Sequence, residues 1–323
     1  MPKSNKPLLK WVGGKTQLLD TILPTFPPKI QNYYELFLGG GSVLFALLSE
    51  TPRRIQGQVY AYDTNPVLIA FYQHVQTQPQ ALYDTIQELV LEYQAIPRYA
   101  SDAQNPPNRK PTTPIEAKTS RESYYYWIRQ QYNHLTPEQQ TRTYGVALFY
   151  FLNKTGFRGI FRLGPNGYNV PYGHYSNPEI IEHTHWMEIH RLILSVNFIV
   201  SDCTVSMTLP EPGDFVYLDP PYVKETKTSF VAYSIEGFST AKTKLLFQQC
   251  HDWIPKGVSW VMSNSDVPLL QEYFPEVPET PSYHIQHLTC RRQIHSKNPE
   301  TTAKEILISY LADPEIPKLP NNP

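Results

Sequence analysis

Apolar positions along the chain recur with two different periods, and the change of period divides it. In residues 1–75 the short apolar runs YYELFL (33–38) and QVYAYD (58–63) read as strands. SVLFALLSE (42–50) and PVLIAFYQHV (66–75) carry the three-to-four spacing of helices. Strand, helix and strand within about thirty residues is the layering of a parallel α/β sheet. Residues 76–184 differ. QALYDTIQELVLEYQ (80–94) and ESYYYWIRQQYN (122–133) are helical and tyrosine-rich, and the segment Pro97–Thr119 between them is a Pro/Asn/Thr linker unsuited to the interior of an element. RTYGVALFYFLNK (142–154) is an apolar run, and the Gly164-Pro165-Asn166-Gly167 turn beyond it predicts a hairpin. From about 185 the first rhythm returns, with strands at NFIVSD (197–202), DFVYLD (214–219), GVSWVMSN (257–264) and KEILISYL (304–311), and a helix over 239–254. The pattern predicts a discontinuous α/β domain, 1–75 and 185–312, interrupted by a mainly helical domain, 76–184, with a tail at 313–323.

Two segments of the α/β part carry chemistry. Glu35-Leu36-Phe37-Leu38-Gly39-Gly40-Gly41-Ser42 places glycines between a strand and a helix, and Asp63 closes the next strand. Glycines let a ligand approach the backbone, and an acid about twenty residues on accepts ribose hydroxyls. The spacing is not that of a dinucleotide cradle, which favours an adenosine bearing a compact or cationic group, and Glu35 suits such a cation. A glycine turn required only for packing is the alternative. The second segment is Asp219-Pro220-Pro221-Tyr222, directly after FVYL. The prolines end the strand and stiffen the backbone beyond it, so the Asp219 carboxylate and the Pro220 carbonyl form two fixed acceptors. An exocyclic amine has two N–H donors to match them, and Tyr222 supplies a flat surface for a base.

With these motifs in order, the chain resembles the Dam-type (D12 class, alpha group) adenine-N6 DNA methyltransferases. The resemblance runs through Lys10-Trp11-Val12-Gly13-Gly14-Lys15, Phe37 to Gly41, Asp63-Thr64-Asn65, Phe151-Leu152-Asn153-Lys154, Asn169-Val170-Pro171-Tyr172-Gly173, Asp219 to Tyr222, Ser263-Asn264, and Arg291-Arg292 to Tyr310, almost the whole chain. It implies a Rossmann-like methyltransferase sheet with a target-recognition insertion at 76–184 that carries the hairpin, and S-adenosylmethionine as cofactor. Trp11, Lys15, Phe37, Gly39, Gly41, Asp63 and Asp219 become cofactor contacts beside Glu35, with Asp63 on the ribose and Asp202 on the cofactor's adenine. A core tryptophan and a solvated lysine are the alternatives for Trp11 and Lys15. The implied reaction is direct methyl transfer to N6 of an adenine flipped from double-stranded DNA, with Asp219, Pro220 and Tyr222 catalytic. It requires no metal.

Lys154, Arg158 and Arg162, with Phe157 interleaved, line the hairpin region without an acid from Phe149 to Pro178. The resemblance makes this region the target reader, with Lys10 at the first base pair, Arg162 on a base, and Asn169 and Pro171 within the matched motif. Arg158 stands where a shorter polar residue is usual and His174 where an arginine is usual, so the target need not be GATC. Pro97–Thr119 is also longer than in compact relatives.

Composition first argues the other way. Of 323 residues, 28 are basic and 29 acidic, and a pI near 6.8 is unlike the usual basic DNA-binding domain. Yet segments 1–19, 149–178 and 286–304 carry +4, +3 and +3 within a chain of net −1, a basic face set against an acidic body. Three separated cysteines give neither a disulfide framework nor a zinc ribbon, and His183, His185 and His190 lack metal-binding spacing, reading instead as an exposed helix. No run reaches bilayer length, and the start lacks a signal-peptide core, so a cytoplasmic monomer acting at the nucleoid is expected, alone or beside a cognate restriction endonuclease. The competing readings are a metal-dependent nuclease using Asp219 and Glu225-Thr226-Lys227, a silent DNA-binding module, and transfer to cytosine N4 or RNA adenine.

Overall fold

The computed structural model describes residues 6–97, 106–222, 238–276, 283–291 and 302–312. In chain order its elements are α1 (Leu19–Ile22), β1 (Tyr33–Glu35), α2 (Ser42–Leu48), β2 (Val59–Asp63), α3 (Pro66–Thr77), α4 (Pro79–Ala95) and α5 (Pro114–Ala117). Next come α6 (Arg121–His134), α7 (Pro137–Gln140), α8 (Thr143–Thr155), β3 (Leu163–Gly164), β4 (Gly167–Tyr168), α9 (His183–Leu192), β5 (Val196–Val200) and α10 (Cys203–Ser206). The chain ends with β6 (Phe215–Leu218), α11 (Thr240–Trp253), β7 (Ser259–Ser265), α12 (Pro268–Tyr273), β8 (His284–Arg291) and β9 (Thr302–Tyr310). Contacts gather these into two compact units. A helical unit comprises Met1–Thr16, Gly39–Ser49 and Asn65–Leu194; a sheet unit comprises Gln17–Leu38, Glu50–Thr64 and Ser195–Pro323. The helical unit therefore holds α2, α3 and α9 as well as all of 76–184.

The sheet unit is a seven-stranded sheet in the order β5-β2-β1-β6-β7-β9-β8. The first five strands are parallel, and β9 runs antiparallel to both of its neighbours, β7 and β8. Strand order reverses between β1 and β6, the switch point at whose carboxyl ends such sheets bind ligands. The registers pair Ala61 with Glu35, Glu35 with Tyr217, Tyr217 with Val261, and Ser265 with Glu305. Side chains alternate along a strand, so Asp63, Glu35, Tyr217, Ser263 and Glu305 share one face. The other face carries Tyr34, Leu36, Tyr62, Val216, Leu218, Trp260, Met262, Ile306 and Ile308, packed with Phe247, Cys250 and Trp253 of α11 and Leu270 of α12 in one buried cluster.

The predicted strands and long helices form. Strand β8 is an addition to them. His284 to Arg291 mixes polar and apolar residues and lacks the apolar run that marks the other strands, and among the described residues it sits at the sheet edge. The linker Pro97–Thr119 contains a short helix, α5, started by Thr113, whose side chain accepts from the Glu116 N–H; residues 98–105 lie outside the described set.

In the helical unit α8 is the hub. Its residues from Gly145 to Asn153 are all buried, against α3, α4 and α6. The tyrosine excess serves this packing: buried Tyr150 donates to the Ile180 carbonyl (2.7 Å), Tyr125 donates to the Val170 carbonyl (2.9 Å), and the Tyr93 and Tyr172 hydroxyls bond at 2.6 Å. Each ring fills volume while its hydroxyl satisfies a backbone or side-chain partner. Helix α9 corrects one expectation, since only His183 among its histidines is exposed. Trp186 and Ile189 are fully buried, the Trp186 indole donates to the Pro79 carbonyl (3.0 Å), and His190 bonds the Val75 carbonyl (2.9 Å). A helix with one apolar face must bury it.

Candidate active site and nucleic-acid interface

At the carboxyl edge of the sheet the shared face becomes acidic. Glu35 is 2% exposed and accepts a hydrogen bond from the Tyr33 hydroxyl (2.7 Å). The Tyr217 and Ser263 hydroxyls bond at 3.0 Å across β6 and β7. Burial pushes the Tyr217 phenol well up, and the negative charges of Asp219, Glu35 and Glu305 push it further, so it stays protonated among three carboxylates. Half-buried Tyr222 donates from its hydroxyl to Glu305 (2.9 Å), and burial, Asp219 and Glu305 together raise its pKa in the same way. Pro220 is buried and Asp219 half-buried just past the end of β6. Such a collection of anions favours a cation and N–H donors as ligands.

The neighbouring acids are held differently. Asp63 ends β2, and its carbonyl accepts from the Ser201 N–H (3.1 Å). Asp202 caps α10, accepting from the Thr204 N–H (3.0 Å) and hydroxyl (2.8 Å), and forms an ion pair with Lys242 of α11. The Lys242 hydrogen bond, ahead of those from Thr204, lowers its pKa to about 2. Phe37 meets Phe238 edge-on, with ring centroids 5.5 Å apart.

The remaining predicted residues belong to the helical unit. Half-buried Trp11 lies on the glycine turn: a Cβ on Gly39, whose φ is +49°, would fall 2.9 Å from the indole Cδ1, and one on Gly40 would fall 2.9 Å from the Trp11 Cβ. At these two positions, then, the close approach that glycine permits is made by an indole. The other indole neighbour is Phe161, stacked at 6.2 Å. Lys15 is not a solvated lysine. It is 4% exposed, its N–H donates to the Ser42 hydroxyl (3.0 Å) and its ammonium to the Gly13 carbonyl (2.8 Å).

Lys10 is pinned by the end of α8. The Asn153 side chain accepts from the Lys10 N–H (2.9 Å) and donates to the Lys10 carbonyl (2.7 Å) and the Gly159 carbonyl (3.1 Å). The Lys10 ammonium donates to the Lys154 carbonyl (2.9 Å) and sits 3.7 Å from the centroid of the Tyr175 ring. Lys154 turns its own ammonium to the Leu8 carbonyl (3.2 Å), and burial, then Lys10, pulls its pKa down to about 8. Arg158 adopts a left-handed backbone (φ 56°), with its N–H on the Tyr175 hydroxyl (2.8 Å) and its guanidinium over the exposed Phe157 ring. The hairpin forms with the two-residue loop Pro165-Asn166, pairing Leu163 with Tyr168. Across its base the Arg162 guanidinium donates to the Asn169 side chain (2.6 Å) and carbonyl (3.3 Å), while the Pro171 carbonyl accepts from the Phe157 N–H (2.9 Å). His174 (φ 53°) stands 3.7 Å from Glu122, which Arg109 of the insertion also holds, at 2.8 Å.

Tyr175 and Glu305 carry no local signal in the sequence, and Asn153, though within the matched Phe151 to Lys154 motif, gives no sign there of its partner. Asn153 acts on Lys10, 143 positions away, and Tyr175 on Arg158, 17 positions away. Glu305 lies at the start of a predicted strand, and only the antiparallel direction of β9 brings that start to the carboxyl ends of β6 and β7. Glu225 to Lys227 and Arg292 to Lys297 lie outside the described residues. No helix among the described residues is long and apolar enough to cross a membrane.

A family model described as D12 class N6 adenine-specific DNA methyltransferase matches residues 11–294. The chain is 29% identical over 299 residues to the type II methyltransferase M.MjaIII of Methanocaldococcus jannaschii, covering 90% of this chain and 93% of that protein. It is 28% identical over 277 residues to the DNA adenine methylase of Salmonella typhi (84% and 85%) and 27% identical over 303 residues to that of Haemophilus influenzae (93% and 91%).

Proposed function

Since the chain belongs to the D12 class N6 adenine-specific DNA methyltransferases, we infer that it moves a methyl group from S-adenosylmethionine to N6 of an adenine flipped out of duplex DNA. The observation that carries the chemistry is the single sheet face on which Glu35, Asp219 and Glu305 act on one phenol beside Tyr222. When bound, S-adenosylmethionine supplies a methyl group activated by its sulfonium, and the buried carboxylate of Glu35 suits that charge. Asp219 and the Pro220 carbonyl accept the two N–H groups of the target amine, which turns its lone pair outward and fixes its direction. Tyr222 stacks on the extruded base. The cofactor would supply the methyl carbon and keep the electron pair of the carbon–sulfur bond as a neutral thioether, while the proton lost from the target amine would pass to solvent. Orientation and fixed charge supply the rate enhancement.

Asp63 accepts the ribose hydroxyls, Phe37 packs beside the cofactor, and Asp202, which already holds Lys242, is the acceptor for its adenine. The motif match carries Trp11, Lys15, Gly39 and Gly41 into the cofactor set. Lys10, Lys154, Phe157, Arg158, Arg162, Asn169 and Pro171 serve DNA: the arginines and Lys10 through bases and phosphates, Phe157 as an exposed wedge. The setting is cytoplasmic DNA, with a restriction endonuclease of the same target as the partner this reading admits.

Incubation of the protein with duplex DNA and methyl-labelled S-adenosylmethionine, with nucleoside analysis of the product, tests the reading. Labelled N6-methyladenine, formed without added magnesium, is expected. Label on cytosine, or strand cleavage that requires magnesium, would replace it.

A further inference from the structure

The Tyr222 hydroxyl meets a carboxylate contributed 83 residues later. Glu305 is the residue of β9 paired with Ser265 at the carboxyl end of β7, on the acidic face. We propose that Glu305 is a positioning residue for methyl transfer, which aims the Tyr222 ring at the target base and enriches its π-face through the hydrogen bond it accepts. The proposal rests on the reading that Tyr222 stacks on the target adenine.

Two physical effects support it. A bond to the para oxygen fixes the far end of the ring axis, so the side chain cannot swing about its first torsion, while rotation about the axis itself leaves the stacking plane to the bound base. A phenol donating to an anion is also richer in electrons than one donating to water. As N6 takes the methyl group the purine gains positive charge, and the negative face of an aromatic ring attracts positive charge. That attraction grows on the way to the transition state, so its loss lowers kcat rather than raising KM. Asp219, which also acts on the Tyr222 phenol, is assigned to the amine, and Glu305 is an acceptor to which the phenol hydroxyl donates.

The test is a double-mutant cycle on the full chain with Glu305→Ala, Glu305→Gln, Tyr222→Phe and Glu305→Ala/Tyr222→Phe, each checked for an unchanged melting temperature. Turnover and KM for duplex DNA are measured separately, with Tyr222→Ala alongside. The expected result is a kcat lower by about tenfold in Glu305→Ala, which corresponds to about 1.4 kcal/mol, with KM within about twofold. Glu305→Gln, which keeps an acceptor oxygen, should recover part of the loss, and the double variant should be no slower than Tyr222→Phe. Fully multiplicative losses, or a Glu305→Ala kcat equal to that of the parent while Tyr222→Ala is severely slowed, would overturn the role of Glu305 and leave the stacking role standing. Parent turnover in Tyr222→Ala would remove the stacking role itself, and this proposal with it.

Discussion

The sheet unit and the helical unit hold their candidate residues by opposite means. In the sheet unit Glu35 and Asp63 end their strands, Tyr217 and Glu305 lie within theirs and Asp219 directly follows β6, so backbone pairing and side-chain alternation set where these residues stand. In the helical unit Lys10, Arg158 and Arg162 are fixed by side chains: by the Asn153 amide, the Tyr175 hydroxyl and the Asn169 amide. A position set by pairing tolerates exchange of neighbouring side chains, whereas one set by a single amide is lost with that amide. On the proposed reading, chemistry that demands close placement would fall to the sheet, and contact with a varied polymer to replaceable side chains.

Substitutions rank this contrast by size. Asp219→Ala should lower kcat by about a thousandfold or more, the scale of a lost orienting or charge-stabilising group, while DNA affinity in a fluorescence anisotropy titration stays within about threefold. A large fall in affinity would place Asp219 among the DNA contacts instead. Gly159→Ala strikes the helical unit. Its φ is +64°, and the new Cβ would sit 2.2 Å from the Lys10 Cβ, so the backbone must move; a cost of about 2–3 kcal/mol in urea unfolding is expected. DNA binding should weaken about tenfold, with kcat at saturating DNA within about twofold. Loss of kcat equal to the loss of affinity would erase the distinction between the units.

Arg162→Ala should cost about 1–3 kcal/mol of DNA binding and relax preference at one base position, read by methylation of a degenerate duplex library. The smallest effect belongs to Lys242→Ala. The Asp202–Lys242 pair is more than a third exposed on the lysine side, so its removal should cost less than about 1 kcal/mol in urea unfolding at pH 7. The pKa of Asp202 is lowered in the fold from 3.8 to about 2. Its contribution is therefore complete above about pH 4 and lost as pH falls through 2, and the variant should lose the part of that slope that Lys242 supplies while the Thr204 bonds keep the rest. An unchanged slope between pH 4 and pH 2 would assign it to Thr204 or to other carboxylates.

Much of the sheet is legible in the sequence because its strands are short apolar runs between turns, and Asp63, Asp219 and Glu35 can be placed at strand ends by counting. Glu305 cannot. Its sequence position marks the beginning of a strand, and whether a beginning or an end lies at the reactive edge depends on strand direction. Lys15 reads as a solvated lysine or a motif residue, and no local pattern discloses that its ammonium is buried on the Gly13 carbonyl. Gly39 and Gly40 read as room for a ligand, yet the group nearest them in the helical unit is Trp11, which lies about thirty positions away.

Local periodicity and residue types at fixed spacing were enough to give the alternation of strands and helices and the order of motifs that identifies the family. The tertiary structure alone decided that β9 enters antiparallel, that Asn153 clamps Lys10 and Gly159, and that the Tyr222 hydroxyl meets Glu305. Apart from the Asn153–Gly159 bond, which spans six positions, those contacts join residues separated by tens to more than a hundred positions, and the free energy that selects them comes from packing and hydrogen bonding that exist only once the chain has closed.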